Sequence, residues 1–356
     1  MDSIVTLIKL CTIMRKTISN MYSKILFFSL LLCCLGQIAL AQQEVQFSQY
    51  VFNGLAVNPA YAGYRGDTYL GASYRKQWAS LPGAPQTGAV SIDGAPSWAN
   101  NESVGLGAQV LWDQQGPQEY LSFTGSYAYR IRLDKEGVSR LCLGIGASLS
   151  QYAVKGDMIY VLDENDQNVP VGKVSAFQPD ASFGVYYYNP HFYAGVSVIQ
   201  LFTQELNNRI IIAGVDKEFL TIRKAKHMYF TAGGLLNLSG DVKLKPSIMI
   251  KDDFNGPTSL DFNIFALLSE KLWIGGSYRT AVNIWEHNNL KAGLTKTNAV
   301  SAMIEYFATD RLRIGYAYDV MTNRLSGYQG GSHEISIGFL IPNRKMKERI
   351  ISPRYF

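Results

Sequence analysis

A chain of 356 residues fits one large domain or two ordinary ones, and its 17% of charged side chains falls short of the roughly one quarter usual in soluble domains. A mean hydropathy of -0.01 is far too polar for a bundle of membrane helices. The mixture of 47% hydrophobic residues with 32 Gly, 22 Tyr and 17 Phe instead suits strands that turn one face to lipid and the other to a lumen.

The N-terminus reads as an export signal. From Met21 the sequence is MYSKILFFSLLLCCLGQIALAQQ, in which Lys24 precedes an apolar run from Ile25 to Leu35 and Ala39-Leu40-Ala41 places small residues at -3 and -1. This predicts a signal peptide over 1–41 with cleavage before Gln42, residues 1–20 being either an over-long start or an extended n-region. The apolar run is short of the roughly 20 residues a spanning helix needs. Leu30-Leu31-Leu32-Cys33 lacks the small residue that precedes a lipidated cysteine, which argues against a lipoprotein. Of the 33 basic and 28 acidic side chains, Lys9, Arg15, Lys16, Lys24 and Asp2 belong to this leader, so the net charge falls from +5 to +2 beyond it. No basic surface remains to suggest nucleic acid as a partner. Cys142 is the one cysteine left, which excludes an intramolecular disulfide and a cysteine zinc site.

Residues 42–66 are rich in aromatics and turn formers and are expected in a lumen or at its periplasmic rim. Period-two alternation follows throughout. Leu121, Phe123, Gly125, Tyr127, Tyr129 and Ile131 share one face, and Leu141, Leu143, Ile145, Ala147 and Leu149 oppose Cys142, Gly144, Gly146, Ser148 and Ser150. Fourteen strands are predicted, at 67–77, 87–95, 102–112, 119–133, 138–152, 177–189, 191–200, 226–237, 242–252, 258–267, 271–281, 292–308, 310–320 and 332–341. Short turns at Asp134–Gly137, Asn189-Pro190, Leu238–Asp241, Leu268–Glu270 and Thr309-Asp310 alternate with longer connections at 153–176, 201–225, 282–291 and 321–331. An even strand number with turns alternating in length predicts an all-β, antiparallel transmembrane barrel over 67–341, in the outer membrane, with long loops outside and both termini periplasmic. The tail, 342–356, carries five basic residues and one acidic residue, and reads as a solvated periplasmic end or a docking peptide.

Sites for chemistry are sparse. His191, His227, His287 and His333 show no metal-binding spacing, and neither a zincin nor a nucleophile-elbow motif occurs. A Ser-His-acid site built from Ser332 or Ser336 with His333 and Glu334 is disfavoured because neighbours on a strand point to opposite faces. Asp163, Glu164 and Asp166 do not fit a calcium loop. Trp78, Trp112, Tyr152, Tyr160, Trp273 and Trp285 are expected in interfacial girdles. Lys243, Lys245 and Lys251 share a face with Ser247 and are expected on a polar lumen wall. No catalytic residue, cofactor or metal is expected.

Several segments resemble the PorP/SprF family, outer-membrane proteins of the type IX secretion system of Bacteroidota. The most specific is QFSQYVFNGLAVNPAYAGYRG (Gln46–Gly66), with its Phe47-Ser48-Gln49-Tyr50 and Asn58-Pro59-Ala60-Tyr61-Ala62-Gly63 cores. YRKQWASLPGAPQTGAVSIDGAP (Tyr74–Pro96) follows, marked by Gln77, Trp78, Gly83, Ala84 and Pro85. YAYRIRL (Tyr127–Leu133), VKLKPSIMIK (Val242–Lys251), LWIGGSYR (Leu272–Arg279) and RIGYAYD (Arg313–Asp319) come next, then GSHEISIGF (Gly331–Phe339) with Ser332, His333 and Glu334. Two departures are a less aromatic Gly54–Val57 and a long 281–298 insertion. The resemblance implies a non-catalytic barrel that aids secretion or surface attachment of cargo such as adhesins with C-terminal sorting domains. It also implies partners among type IX components and periplasmic peptidoglycan-linked or motor-associated proteins, besides outer-membrane lipid. A general porin or solute channel and, more remotely, a barrel lipase are the other readings.

Overall fold

The computed structural model describes residues 47–99, 102–159, 172–202, 225–254, 256–282, 284, 297–323 and 326–342. The leader, Tyr160, Asp163, Glu164, Asp166, Trp285, His287, most of the 281–298 insertion and the tail beyond Pro342 lie outside them.

Fifteen strand segments make up the wall: β1 (Thr68–Lys76), β2 (Gln86–Gly94), β3 (Val104–Gln115), β4 (Gln118–Arg132), β5 (Arg140–Lys155), β6 (Lys173–Tyr188), β7 (Phe192–Ile199), β8 (His227–Gly234), β9 (Leu236–Ser239), β10 (Val242–Asp252), β11 (Thr258–Leu268), β12 (Leu272–Val282), β13 (Thr297–Phe307), β14 (Leu312–Met321) and β15 (Ser332–Ile341). β8 and β9 both pair with β10 and are two halves of one wall strand interrupted at Leu235, whose N–H donates to the His191 carbonyl. β15 returns to β1 in unbroken antiparallel register from Thr68↔Ile341 to Lys76↔His333. The result is a closed antiparallel barrel of fourteen strands, as the alternation predicts. Closure leaves no edge of unpaired backbone groups, which a hydrocarbon environment could not hydrate. β13 is described from Thr297, and its predicted start at 292 lies outside the described residues.

The polarity of the wall is inverted relative to a soluble protein. Phe123 on β4 is 56% exposed, whereas Arg130 on the alternate face is 2% exposed. The same holds around the barrel: Ile145, Ile264, Ile304, Ile335 and Ile337 face out, while Ser150, Asp261, Glu305, Asp319 and Glu334 are buried inside. A continuous exposed apolar band of this kind needs lipid as its solvent. Among the described residues no helix is long and apolar enough to cross a membrane, and the strands do the crossing.

The two ends of the barrel differ. One end carries the short turns after β4, β6, β9, β11 and β13, together with both ends of the wall, Thr68 and Ile341. At the other end lie the long connections after β5, β7, β12 and β14. The pattern breaks at the tight Gly116-Pro117 turn and the five-residue connection between β10 and β11 on the long-loop end, and at the nine-residue connection between β2 and β3 on the other. Asp134 shows how a short turn is fixed. Its carboxylate accepts from the backbone N–H groups of Val138 (2.8 Å) and Ser139 (2.6 Å), and hydrogen bonding to Ser139 holds it below the usual carboxylate range.

Candidate functional site

Residues 47–66 form a strap inside the barrel. Three short 3-10 turns, Gln49–Phe52, Gly54–Ala56 and Pro59–Tyr61, fold the strap locally, and at its end the Gly66 carbonyl accepts from the Ala95 N–H. Asn58 caps the third turn through Oδ1, which accepts from the Ala60 N–H at 2.9 Å, and Pro59 supplies the fixed φ of the first position. Gly63 closes the strap at φ +70°, where a side chain would be strained. Eight backbone hydrogen bonds close these turns within the strap, and groups they leave over, such as the Ser48 and Gln49 N–H and the Val51 and Phe52 carbonyls, are met by the wall.

The first anchor lies at the seam where the barrel closes. The Ser48 N–H donates to Glu334 Oε2 at 2.7 Å and the Gln49 N–H to Glu334 Oε1 at 3.1 Å. The Ser48 hydroxyl donates to Asp319 Oδ2 at 2.6 Å. Arg75 ties these together, donating to Asp319 Oδ2 (2.5 Å), Glu334 Oε2 (3.2 Å) and Ser48 Oγ (2.6 Å). The Gln49 side chain donates to the Glu334 carbonyl (3.2 Å) and accepts from Ser336 Oγ (2.7 Å). Four sequence-distant segments, Phe-Ser-Gln, Tyr-Arg-Lys, Tyr-Ala-Tyr-Asp and Gly-Ser-His-Glu, therefore meet across β14, β15 and β1.

A second group of anchors holds the strap's carbonyls with cations. Lys245 Nζ donates to the Val51 carbonyl at 3.3 Å and lies near the rings of Phe52, Trp273 and Tyr193. Arg313 and Arg65 donate to the Phe52 carbonyl at 3.1 and 2.8 Å. Arg313 is neutralised by Glu305 (3.0 Å) and bonds the Tyr69 hydroxyl, and Arg65 lies over the Tyr69 ring at 4.0 Å. On the opposite wall Asn58 Nδ2 donates to the carbonyls of Val185 (3.1 Å) and Val196 (3.4 Å), and the strap then returns to β2, next to β1, where the Gly63 N–H donates to Asp93 Oδ2 (3.0 Å). Tyr61 stacks on Tyr64 with centroids 4.9 Å apart, and both meet Tyr186 edge-on.

The wall is shaped for this occupant. Cβ atoms added at Gly105 and Gly144 would overlap the Ala62 carbonyl and the Ala60 backbone nitrogen. Glycine on an inward strand face here marks close approach of another backbone. Among the described residues, a space of about 80 Å³ lies between Leu55–Pro59 and the hydroxyls of Ser122, Thr124 and Ser148, and two of about 30 Å³ flank the strap.

The expected motif residues separate into two groups. Ser48, Gln49, Tyr50, Asn58, Pro59, Ala60, Tyr61, Ala62 and Gly63 are buried in the strap, with Phe47 half-buried at its start. Gln77, Trp78, Gly83, Ala84 and Pro85 lie in the β1–β2 loop at the long-loop end, where the Gln77 N–H donates to the Pro85 carbonyl and Gly83 accepts from the Gly116 N–H. Ser332 and Glu334 connect the groups, Ser332 accepting from the Trp78 N–H (3.2 Å) while Glu334 holds the strap. His333 points to the other face and bonds the Tyr316 hydroxyl at 2.7 Å, so no Ser-His-acid arrangement forms.

Two girdle assignments are corrected. Trp273 is 1% exposed and packs on Phe52 in the lumen, and Tyr152 is buried beside Tyr120. Trp273 has the same parity as Ser277 and Arg279, and Tyr152 the same parity as Ser148 and Ser150, which sends both rings inward. Trp112 does lie on the outer face, bonded to Glu119 at 3.3 Å. Lys245 and Lys251 are on the lumen face, as expected. Sequence reading passed over Arg75, Arg313, Asp319 and Asp93 as site residues. Their signal was a charge at an inward position of an otherwise alternating strand.

Among known structures the chain is similar to several outer-membrane barrels. Omp33 of Acinetobacter baumannii aligns with 9% identity over 78% of this chain and 100% of that one, with a TM-score of 0.42. A FadL homologue of Pseudomonas aeruginosa gives 11% identity, 79% and 92% coverage and a TM-score of 0.43. The monoaromatic hydrocarbon channel CymD gives 9%, 82% and 93% with a TM-score of 0.46. Among curated proteins none matches the chain. The family model of the type IX secretion system membrane protein PorP/SprF matches residues 39–339, a span that takes in the strap and nearly all of the wall, and the chain belongs to that family.

Proposed function

We propose that this barrel is a non-catalytic accessory of type IX secretion that aids the export or surface attachment of specific cargo, such as an adhesin with a C-terminal sorting domain. The observation that carries the reading is the filled lumen: residues 47–66 cross it, and inward-facing Arg75, Asp319, Glu334, Arg313, Lys245 and Asp93 are engaged in holding them. A diffusion channel needs those groups free to line a water path. With the interior committed to the strap, recognition falls to the two rims. The long loops would face outward toward cargo. The short-turn end would face the periplasm, where peptidoglycan-linked or motor-associated partners of the machinery lie. A cleavable leader over 1–41 would deliver the chain to the outer membrane.

The test is affinity purification of the full-length protein from native outer membranes, with identification of what accompanies it. Type IX components or a large surface protein should be recovered. A single protein that conducts ions and carries no partner would contradict the proposal and favour a solute channel.

A further inference from the structure

Three neighbouring strands place hydroxyls at successive inward positions. On β4, Ser122, Thr124 and Ser126 alternate with residues of the exposed face such as Leu121, Phe123 and Tyr127. Register sets Ser122 opposite Ser150 and Thr124 opposite Ser148 on β5. On β6, Ser182 stands opposite Gly146, one inward position from Ser148. Parity sends all of these side chains into the lumen. Gln109 on β3, opposite Thr124, joins them from the other side.

These groups border the space of about 80 Å³ beside the strap, and its other side is apolar, made by Leu55, Val57 and Pro59 with Leu111 and Ile199. Tyr120, the third residue of β4, and Ile199, the last of β7, set it toward the long-loop end. Part of the polar side is already arranged: the Tyr120 hydroxyl lies 3.1 Å from Ser150 Oγ, which donates to Ser122 Oγ at 2.9 Å. The Gln109 amide nitrogen is buried and finds no hydrogen-bond partner among the described residues. A donor held out of bulk water has the most to gain from an acceptor entering the space. Among the described residues no charged side chain borders it, although the strap's seam anchor is built from charges. Asp180, opposite Ser148, turns its carboxylate to the N–H groups of Ala181 (2.6 Å) and Phe202 (3.0 Å).

We infer that this space is a binding site for a neutral pyranose ring, taking the sugar's hydroxyl edge on Gln109, Thr124 and Ser148 and its C–H face on Leu55 and Pro59. A pyranose has that same division between a polar edge and an apolar face. Serine and threonine hydroxyls both donate and accept, so they match sugar hydroxyls in either role. Uronic acids, sugar phosphates and peptide termini would lose their hydration without meeting a counter-charge. The strap floors the space, which suits one terminal ring and not an extended chain passing through. A free sugar and the last ring of a glycan share this chemistry. The site is independent of which proteins accompany the barrel, so its failure and that of the secretion reading are separate results.

The experiment titrates the purified full-length barrel, in a detergent without a sugar headgroup, by saturation-transfer-difference NMR. The probes are glucose, galactose, mannose and N-acetylglucosamine, with glucuronic acid and glucosamine as charged controls. Saturable binding of at least one neutral sugar is expected in the millimolar range. The charged controls should bind at least about tenfold more weakly. Ser148→Leu fills the space and should abolish binding, and Gln109→Leu should weaken it about tenfold by removing one hydrogen bond. A wild-type heat-induced mobility shift shows that each variant is folded. If Ser148→Leu does not fold, Ser148→Ala takes its place, with about tenfold weaker binding expected. Methyl glycosides of the sugar that binds then separate the sources: retained binding supports the terminal ring of a glycan, and lost binding supports a free sugar. Absence of saturable binding by every neutral sugar leaves the space to water only and overturns the inference. Equal binding of the charged controls overturns it too, as does binding that survives unchanged in the folded variants.

Discussion

Arg75 organises the strap's seam anchor, because one guanidinium serves two buried carboxylates and the Ser48 hydroxyl. Replacing it with alanine leaves Asp319 and Glu334 buried without their cation, a loss of about 3–5 kcal/mol. The heat-induced mobility shift of the detergent-solubilised barrel should then occur at a clearly lower temperature than in the wild type. Arg75→Lys should fall between the two, since an ammonium is a point charge that cannot reproduce the fork. A wild-type midpoint for Arg75→Ala would show that the seam cluster is incidental. Glycine supplies a complementary test. Gly144→Val forces a side chain into the Ala60 backbone, whereas Gly125→Ala meets nothing within 4 Å. The first should lower the transition by about 1–3 kcal/mol or more through overpacking, and the second should leave it near the wild-type value.

The strap is held by stacked rings as well as by charges, with Tyr61 on Tyr64 at 4.9 Å and both edge-on to Tyr186. Tyr61→Ala should lower the temperature of the mobility shift by removing these contacts, and an unchanged midpoint would show the ring cluster to be incidental. Elements of the wall were readable from sequence because period-two alternation is strict where lipid lies on one side and a packed lumen on the other. The strap was not readable in the same way. Gln49, Asn58 and Gly63 have no period, and their conformation is set by Glu334, Val185 and Asp93, which lie far away in sequence. Tyr152 and Trp273 show the remaining gap: residue type suggested a girdle, and only their parity with Ser150 and Ser277 reveals the lumen.

At the scale of the whole molecule, the structure is a lipid-facing cylinder whose interior is spent on its own N-terminal segment. Loop-length alternation correctly placed the short turns and both ends of the wall together, since Thr68 pairs with Ile341. It carried no information about a segment threaded through the middle. Family membership follows from the match over residues 39–339, and of the segments that carry the resemblance the first is the strap, the second runs through the β1–β2 loop that bonds Ser332, and the others lie on wall strands. The account's central claim is that the filled lumen makes this a scaffold with working rims and not a conduit. Single-channel recording of the purified protein in planar lipid bilayers tests it most directly. The account predicts a silent membrane for the wild type and ion-conducting openings when residues 47–62 are deleted. Stable conductance by the wild type, unchanged by that deletion, would contradict it.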